Sequence, residues 1–360
     1  MRLIRVVPGR ALPRGAERPP AGAVLSRDIV VGGERWAKGR RLSAADLARL
    51  AGPDAAAAHG SGPSLEPITL LVLEPGELHE DEAAQRLAAA VAGPNLVTRG
   101  PAESRVDLLA AADGVLHVRV RELELLDRLD PLEVFTALDG SVVREGQLVA
   151  SVKVAPHVVA AATVEAGQQL AGSGRRPLVW VAPFLPLPVA VVVKESLRAA
   201  DRERFERSVR AKVESLGSHL VALAYVPDRT AEVTAALAAV TRGREAARVV
   251  LTAGGRSTDP SDPFFEAISA LGGRLVRHGV PAHPGSMLWL ARVGRAAVLG
   301  LPTCGAYSRA TAADLLLPRL LTGEPPSRRT VSRLGHGGIL TREMRFRFPA
   351  YARELDAPEG

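Results

Sequence analysis

The 360-residue chain has a single cysteine, Cys304. One thiol excludes an intramolecular disulfide framework and a zinc site built on cysteines, and it suits a reducing compartment. Aromatic residues make up 4% of the chain, so alanine, valine and leucine must build its core. Lysine is scarce too: 4 of the 46 basic residues are lysines (Lys38, Lys153, Lys194 and Lys212), and the rest are arginines. Alongside abundant alanine, glycine and proline, this reads as the coding bias of a GC-rich genome. The formal charge is +7. Such a balance can serve nucleic acid, a membrane surface or an anionic ligand. No compact basic run is interleaved with aromatics, so nucleic acid is not expected. Long apolar runs are also missing. The start, Met1 to Pro8, lacks a stretch of secretory length. The most apolar segment, 177–193, holds four prolines and ends against Lys194, too broken for a spanning helix. The expectation is a cytoplasmic protein with no membrane or nucleic-acid partner.

At about 150 residues per domain, the length accommodates two or three domains. Val24 to Leu50 reads as a strand, a turn at Gly32-Gly33, and a helix capped by Ser43 with Asp46 in its first turn. Ile68 to Leu73 reads as a strand, and Asp81 to Val91 has helical spacing. Asp107 to Leu129 reads as helix, strand and helix. Ser141 to Val154 reads as a hairpin around Arg144-Glu145-Gly146. Gly172-Ser-Gly-Arg-Arg-Pro177 is the clearest linker. The expected organisation is a mixed α+β N-terminal domain over 1–175, an α/β domain over 176–323 and a C-terminal extension over 324–360. The extension carries Arg328, Arg329, Arg333, Arg342, Arg345 and Arg347, suited to a surface-draped terminus or to a grip on an anion or partner. The acids Glu74, Glu77, Glu80, Asp81 and Glu82 fit a solvated helix start. The eight histidines show no ligand spacing.

From Val189 onward, apolar strands alternate with helices, the pattern of a doubly wound, mostly parallel α/β sheet. In such sheets ligands sit beyond the carboxyl ends of the strands. Three loops rich in Gly, Pro, Ser and Thr follow strands here. The first is Thr252-Ala-Gly-Gly-Arg-Ser-Thr-Asp259-Pro-Ser-Asp262. Its glycines let backbone N–H groups approach a ligand, and the next helix N-terminus favours an anion. Asp259 and Asp262 could position a metal or an activated oxygen, and Asp262, just before Pro263, could equally cap the helix. The second loop is His283-Pro284-Gly285-Ser286. The third is Gly300-Leu-Pro302-Thr303-Cys304-Gly305, with Tyr307-Ser308.

The ordered series Thr252-x-Gly-Gly-x-Ser257-x4-Asp262, Gly272-Gly273, His278-Gly-Val280, Pro284-Gly285 and Gly300-Leu-Pro302 resembles the molybdopterin-binding domain of molybdenum insertases and gephyrin. Val226-Pro-Asp228 upstream fits the same pattern, and the match spans about 188–323. The ending, Leu317 to Glu324 and Leu334-Gly-His-Gly-Gly338, is similar to divergent stand-alone molybdopterin-binding proteins. The resemblance implies that Thr252, Gly254, Gly255, Ser257, Pro284, Gly285, Pro302, Thr303, Cys304 and Ser308 hold molybdopterin. It implies that Asp262 assists molybdate insertion, and that Asp259, Asp262 and Glu195 could hold Mg²⁺. The chain departs from insertases at two places. Gly300-Leu-Pro-Thr-Cys-Gly305 replaces Gly-Leu-Pro-Gly-Asn-Pro, and Val193-Lys-Glu-Ser196 replaces Thr-Gly-Asp-Glu. Two functions follow: a molybdopterin molybdenumtransferase of molybdenum cofactor biosynthesis, or a non-catalytic carrier that holds the cofactor for a molybdoenzyme. The resemblance also suggests a homo-oligomer.

Overall fold

Residues 188–193 read Pro-Val-Ala-Val-Val-Val and have no polar side chain. A strand of this kind has no face for water, so it belongs inside a sheet covered on both sides. The computed structural model describes residues 1–56, 66–194, 198–301 and 310–355, and places this segment at the heart of a six-stranded sheet. The chain falls into two units. One comprises Met1–Ala110, Val118–Ala137 and Gln147–Trp180. The other comprises Ala111–His117, Leu138–Gly146 and Val181–Gly360.

The second unit contains the large sheet, whose elements are numbered here from its first strand. They are β1 (Pro188–Val193), α1 (Ala199–Glu214), β2 (His219–Tyr225), α2 (Thr230–Thr241), β3 (Val249–Ala253), α3 (Pro263–Ala270), β4 (Arg274–His278), β5 (Trp289–Val293), β6 (Ala296–Gly300) and α4 (Ala313–Leu321). The strand order is β2-β1-β3-β6-β5-β4. The first four strands run parallel, and β5 is antiparallel to both its neighbours. Period-two alternation divides β1 between two cores. Val189, Val191 and Val193 join Phe205 and Val209 of α1 and Leu316 and Leu320 of α4. Ala190 and Val192 join Val233 and Leu237 of α2 and Phe264 and Ile268 of α3. Each large apolar side chain buried this way contributes about 1.5–3 kcal/mol. The doubly wound, mostly parallel sheet expected from the pattern is therefore present.

The residues after Gly323 are not draped over the surface. Val331, on α5 (Arg328–Ser332), and Tyr351 and Ala352, on α6 (Ala350–Leu355), join the same core as α4, together with Phe348. The arginines help to hold this segment. Arg328 donates to the Val276 carbonyl at 2.8 Å, and Arg333 pairs with Asp139 at 3.4 Å. Lys212 forms a buried ion pair with Asp314 between α1 and α4.

In the first unit, Ser43 caps the helix Ala44–Ala51, with a reciprocal hydrogen bond from its own N–H to Asp46, as its sequence suggested. Gly32 and Gly33 take positive φ values of 57° and 78° at the turn between Ile29–Val31 and Glu34–Trp36. Two expectations need correction. Arg105–Ala110 is a strand, not a helix: it pairs with Leu148–Val154 in a four-stranded antiparallel sheet, where Asp107 accepts from Ser151 at 2.8 Å. Ser141 to Val154 is not a hairpin, because Val142–Val143 pairs with residues 114–115 in a different sheet. Arg105–Ala110 is held by a local hairpin with Leu96–Ala102 as well as by Leu148–Val154, and Val142–Val143 by non-local pairing alone, so strand pairing outweighed the pattern read along each segment.

Candidate ligand-binding crevice

Three strands carry the segments that matter. β1 ends at Val193, β3 at Ala253 and β6 at Gly300, and all three point the same way. Thr252 stands opposite Gly300 in the register, and the Leu301 N–H donates to the Thr252 carbonyl at 2.8 Å. The first and third loops therefore leave from neighbouring strands. The His278 ring hydrogen-bonds the Ser257 carbonyl, linking the end of β4 to the first loop. The second loop lies against the segment that follows the third: the Ala312 N–H donates to the Pro284 carbonyl at 3.0 Å. Thr252, Gly254, Gly255, Ser257, Pro284 and Gly285 are thus gathered at one end of the sheet. Pro302, Thr303, Cys304, Ser308 and Glu195 lie outside the described residues.

Glycine at 254 and 285 has backbone reasons of its own. Gly254 turns the chain at a φ of 84°. Gly285 has a φ of 110°, and a Cβ there would meet the Ala312 nitrogen at 2.8 Å. Gly255 differs: an added Cβ would meet nothing closer than 3.6 Å, and its φ is not positive. The fold itself leaves room for a side chain there. Gly300 packs instead of turning. A Cβ would fall 2.0 Å from the Trp289 ring, which stands directly opposite on β5.

Asp262 is the N-cap of α3, with Pro263 as the first helical residue. It is 1% exposed. Its Oδ1 accepts from the Phe264 N–H at 2.9 Å, and its Oδ2 from the Arg256 N–H at 2.6 Å. Oδ2 also lies 2.8 Å from the Lys194 Nζ. Lys194 is the residue immediately after β1, and its side chain is entirely buried. Its Nζ donates to Asp228 Oδ1 at 2.7 Å, and it lies 5.5 Å from the Phe264 ring centroid. The second oxygen of Asp228 accepts from the Arg256 guanidinium at 3.0 Å. Two cations and two carboxylates form one network across the ends of β1, β2 and β3. A buried carboxylate at this place needs a positive partner, because desolvation of an unpaired charge is prohibitive. Asp259 stands apart from the core of the network. Its carboxyl is held below the usual range by the Ser261 hydroxyl and N–H, which donate to it at 2.6 and 2.9 Å.

Sequence reading put Asp262 at the centre and noted Asp228 but did not select Lys194. A signal was present: a lysine directly after a strand with no polar residue, in a chain where arginine takes nearly every basic position. Among the described residues, Asp262 does not fit the Mg²⁺ that the resemblance implies. Mg²⁺ needs near-octahedral oxygen donors, yet Asp262 has both oxygens engaged and shares its charge with an ammonium. Among the described residues, no group of three or more His, Cys, Asp or Glu side chains is placed to hold a metal ion.

A parallel sheet with Gly-bearing loops and a helix N-terminus at its carboxyl edge defines an α/β domain suited to a small anionic ligand. Residues 190–322 match the family described as probable molybdopterin binding domain. No curated protein matches the chain. Among solved structures, it is similar to a molybdenum cofactor biosynthesis protein B, at 17% identity over 48% of this chain and 96% of that one, with a TM-score of 0.28. It is also similar to the molybdopterin biosynthesis MoeA protein from Pyrococcus horikosii, at 14% identity over 72% of this chain and 81% of that one, with a TM-score of 0.30. Among the described residues, no helix is long and apolar enough to cross a membrane.

Proposed function

We propose that this protein binds molybdopterin at the carboxyl edge of the sheet and serves molybdenum cofactor biosynthesis. The carrying observation is the family match over 190–322 together with the Gly-bearing loop at the end of β3 and the Pro284-Gly285 loop packed against Ala312. In this reading the terminal phosphate lies against the backbone of Gly254, Gly255 and Ser257. The α3 dipole and the exposed Arg256 guanidinium favour its charge. The Pro284-Gly285 loop bounds the pterin.

Two activities remain compatible with such a pocket: insertion of molybdate, and non-catalytic carriage of the cofactor to a molybdoenzyme. One observation favours carriage. Asp262, the candidate for chemistry, is buried and its oxygens are already taken by Phe264, Arg256 and Lys194. A proton-transfer group must reach the reacting atom within hydrogen-bond distance. The experiment has two parts. Protein purified from a cofactor-producing host is oxidised, and the released pterin is measured by fluorescence. Pterin above an unrelated control protein is expected, and its absence overturns the reading. The purified protein is then added to a cofactor-free molybdoenzyme with molybdopterin, molybdate and Mg²⁺. Carriage predicts no molybdenum insertion above the protein-free control.

A further inference from the structure

We infer that the Lys194 ammonium is the resident cation of the crevice. It occupies the place between Asp228 and Asp262 that a divalent ion would otherwise take, and so makes binding of a phosphate-bearing ligand independent of divalent metal.

Three observations carry this. First, the geometry is that of a cation held by two carboxylates from different strand ends. The Nζ lies 2.7 Å from Asp228 and 2.8 Å from Asp262, with the Phe264 ring below it. Second, the side chain is fully enclosed, as is Asp262, so water does not screen the pair. The Lys194–Asp262 side of the site is closed, so an incoming hydrated ion could approach only from the side of Asp228, which reaches solvent. Third, the network is already neutral, since Arg256 holds the second oxygen of Asp228. A metal entering here would have to displace a covalently tethered ammonium whose effective concentration no free ion matches. The compact lysine head is the basic group that fits: a guanidinium fork needs a planar, wider site. What the cation does for a ligand is indirect. It discharges Asp262, so the N-terminus of α3 and the neighbouring N–H groups face an arriving phosphate without a bare carboxylate behind them.

The part concerning ligand binding rests on the molybdopterin reading, whereas the cation assignment does not, and the test separates them. In the first arm the probe is Mn²⁺ alone, added to the full chain and followed by electron paramagnetic resonance. Wild type is expected to take up no Mn²⁺ below about 1 mM, the weak end of protein divalent sites. Lys194→Ala, checked for folding by circular dichroism, is expected to gain a site at least about tenfold tighter, lost again when Asp228→Asn is added. Wild-type Mn²⁺ binding that Asp228→Asn abolishes would overturn the assignment. So would a folded Lys194→Ala that gains no site. If Lys194→Ala does not fold, the wild-type and Asp228→Asn titrations still decide. In the second arm, pterin retained by wild type is measured after chelation. Retention unchanged by chelator supports metal independence, and loss restored by Mg²⁺ overturns it. No pterin with or without metal refutes the molybdopterin reading and leaves the Mn²⁺ arm standing.

Discussion

Asp262 shows how one side chain can satisfy two structural demands. It caps α3 through Oδ1 and balances a buried ammonium through Oδ2. Asparagine caps a helix nearly as well as aspartate. It has only one acceptor oxygen, so its amide nitrogen would point at either the Phe264 N–H or the Arg256 N–H and the Lys194 ammonium. Asp262→Asn is therefore expected to cost about 3 kcal/mol in urea unfolding, the lower range for breaking a buried pair, because Asp228 stays with the lysine. A loss within about 0.5 kcal/mol would mean that capping alone describes the residue. Lys212 makes a similar bargain with Asp314 deep between two helices. Nearby, burial pushes the Tyr351 hydroxyl well above its ordinary value, and the Asp314 carboxylate adds to the shift.

The same division between fold and ligand appears at the scale of elements. β5 and β6 meet at a tryptophan facing a glycine, and the Trp289 ring is wedged 5.3 Å from the Phe265 ring centroid. Gly300→Ala has no room there and is expected to destabilise the protein by about 2–3 kcal/mol, as overpacking of a filled core does. Gly255→Ala, on the loop after β3, meets only ordinary contacts and is expected to stay within about 0.5 kcal/mol while weakening pterin retention. Thermal melts and pterin release on the two variants check both statements. Equal stability loss in the two would refute the assignment of Gly300 to packing. The sequence motif Gly300-Leu-Pro302 drew attention to this glycine as part of a ligand loop. Its reason here lies across the sheet, in a tryptophan eleven positions earlier that no local pattern could pair with it. The alternation of strands and helices from Val189 onward was readable because apolar runs, and the Asp262-Pro263 cap of α3, are local signals. Arg105–Ala110 was misread although one partner, Leu96–Ala102, lies just before it; the other, Leu148–Val154, lies about forty residues away.

Across the whole molecule, the sequence made the sheet class legible and hid the extent of the second unit. That unit takes in two short segments, residues 111–117 and 138–146, besides everything from Val181. Asp139 pairs with Arg319 at 3.1 Å, and the His117 ring lies against the Glu324 carboxylate, so side-chain contacts tie both segments into the unit. Such contacts leave no compositional trace. The core likewise continues past the apparent end of the α/β pattern. A chain stopped after Gly323 lacks Val331, Phe348 and Tyr351, and is expected to lose on the order of 5 kcal/mol at about 1.5–3 kcal/mol per buried side chain. Urea denaturation of the truncated and full-length proteins measures it. A truncated protein as stable as the full chain would return residues 324–352 to the status of a surface tail.

The scarcity of lysine ends in a chemical consequence. Of the four side-chain amines, two are sealed inside ion pairs at Lys194 and Lys212, while Lys38 is exposed and Lys153 half-buried. The α-amino group of Met1 is paired with Glu74 and Glu77. An acylating reagent therefore meets a surface rich in guanidinium groups, which it leaves untouched, and very few free amines. Folded protein accepts label chiefly at Lys38 and Lys153, both far along the chain from the crevice residues. Unfolding would release the two hidden amines together, which makes lysine reactivity a direct gauge of whether the strand-end network is closed.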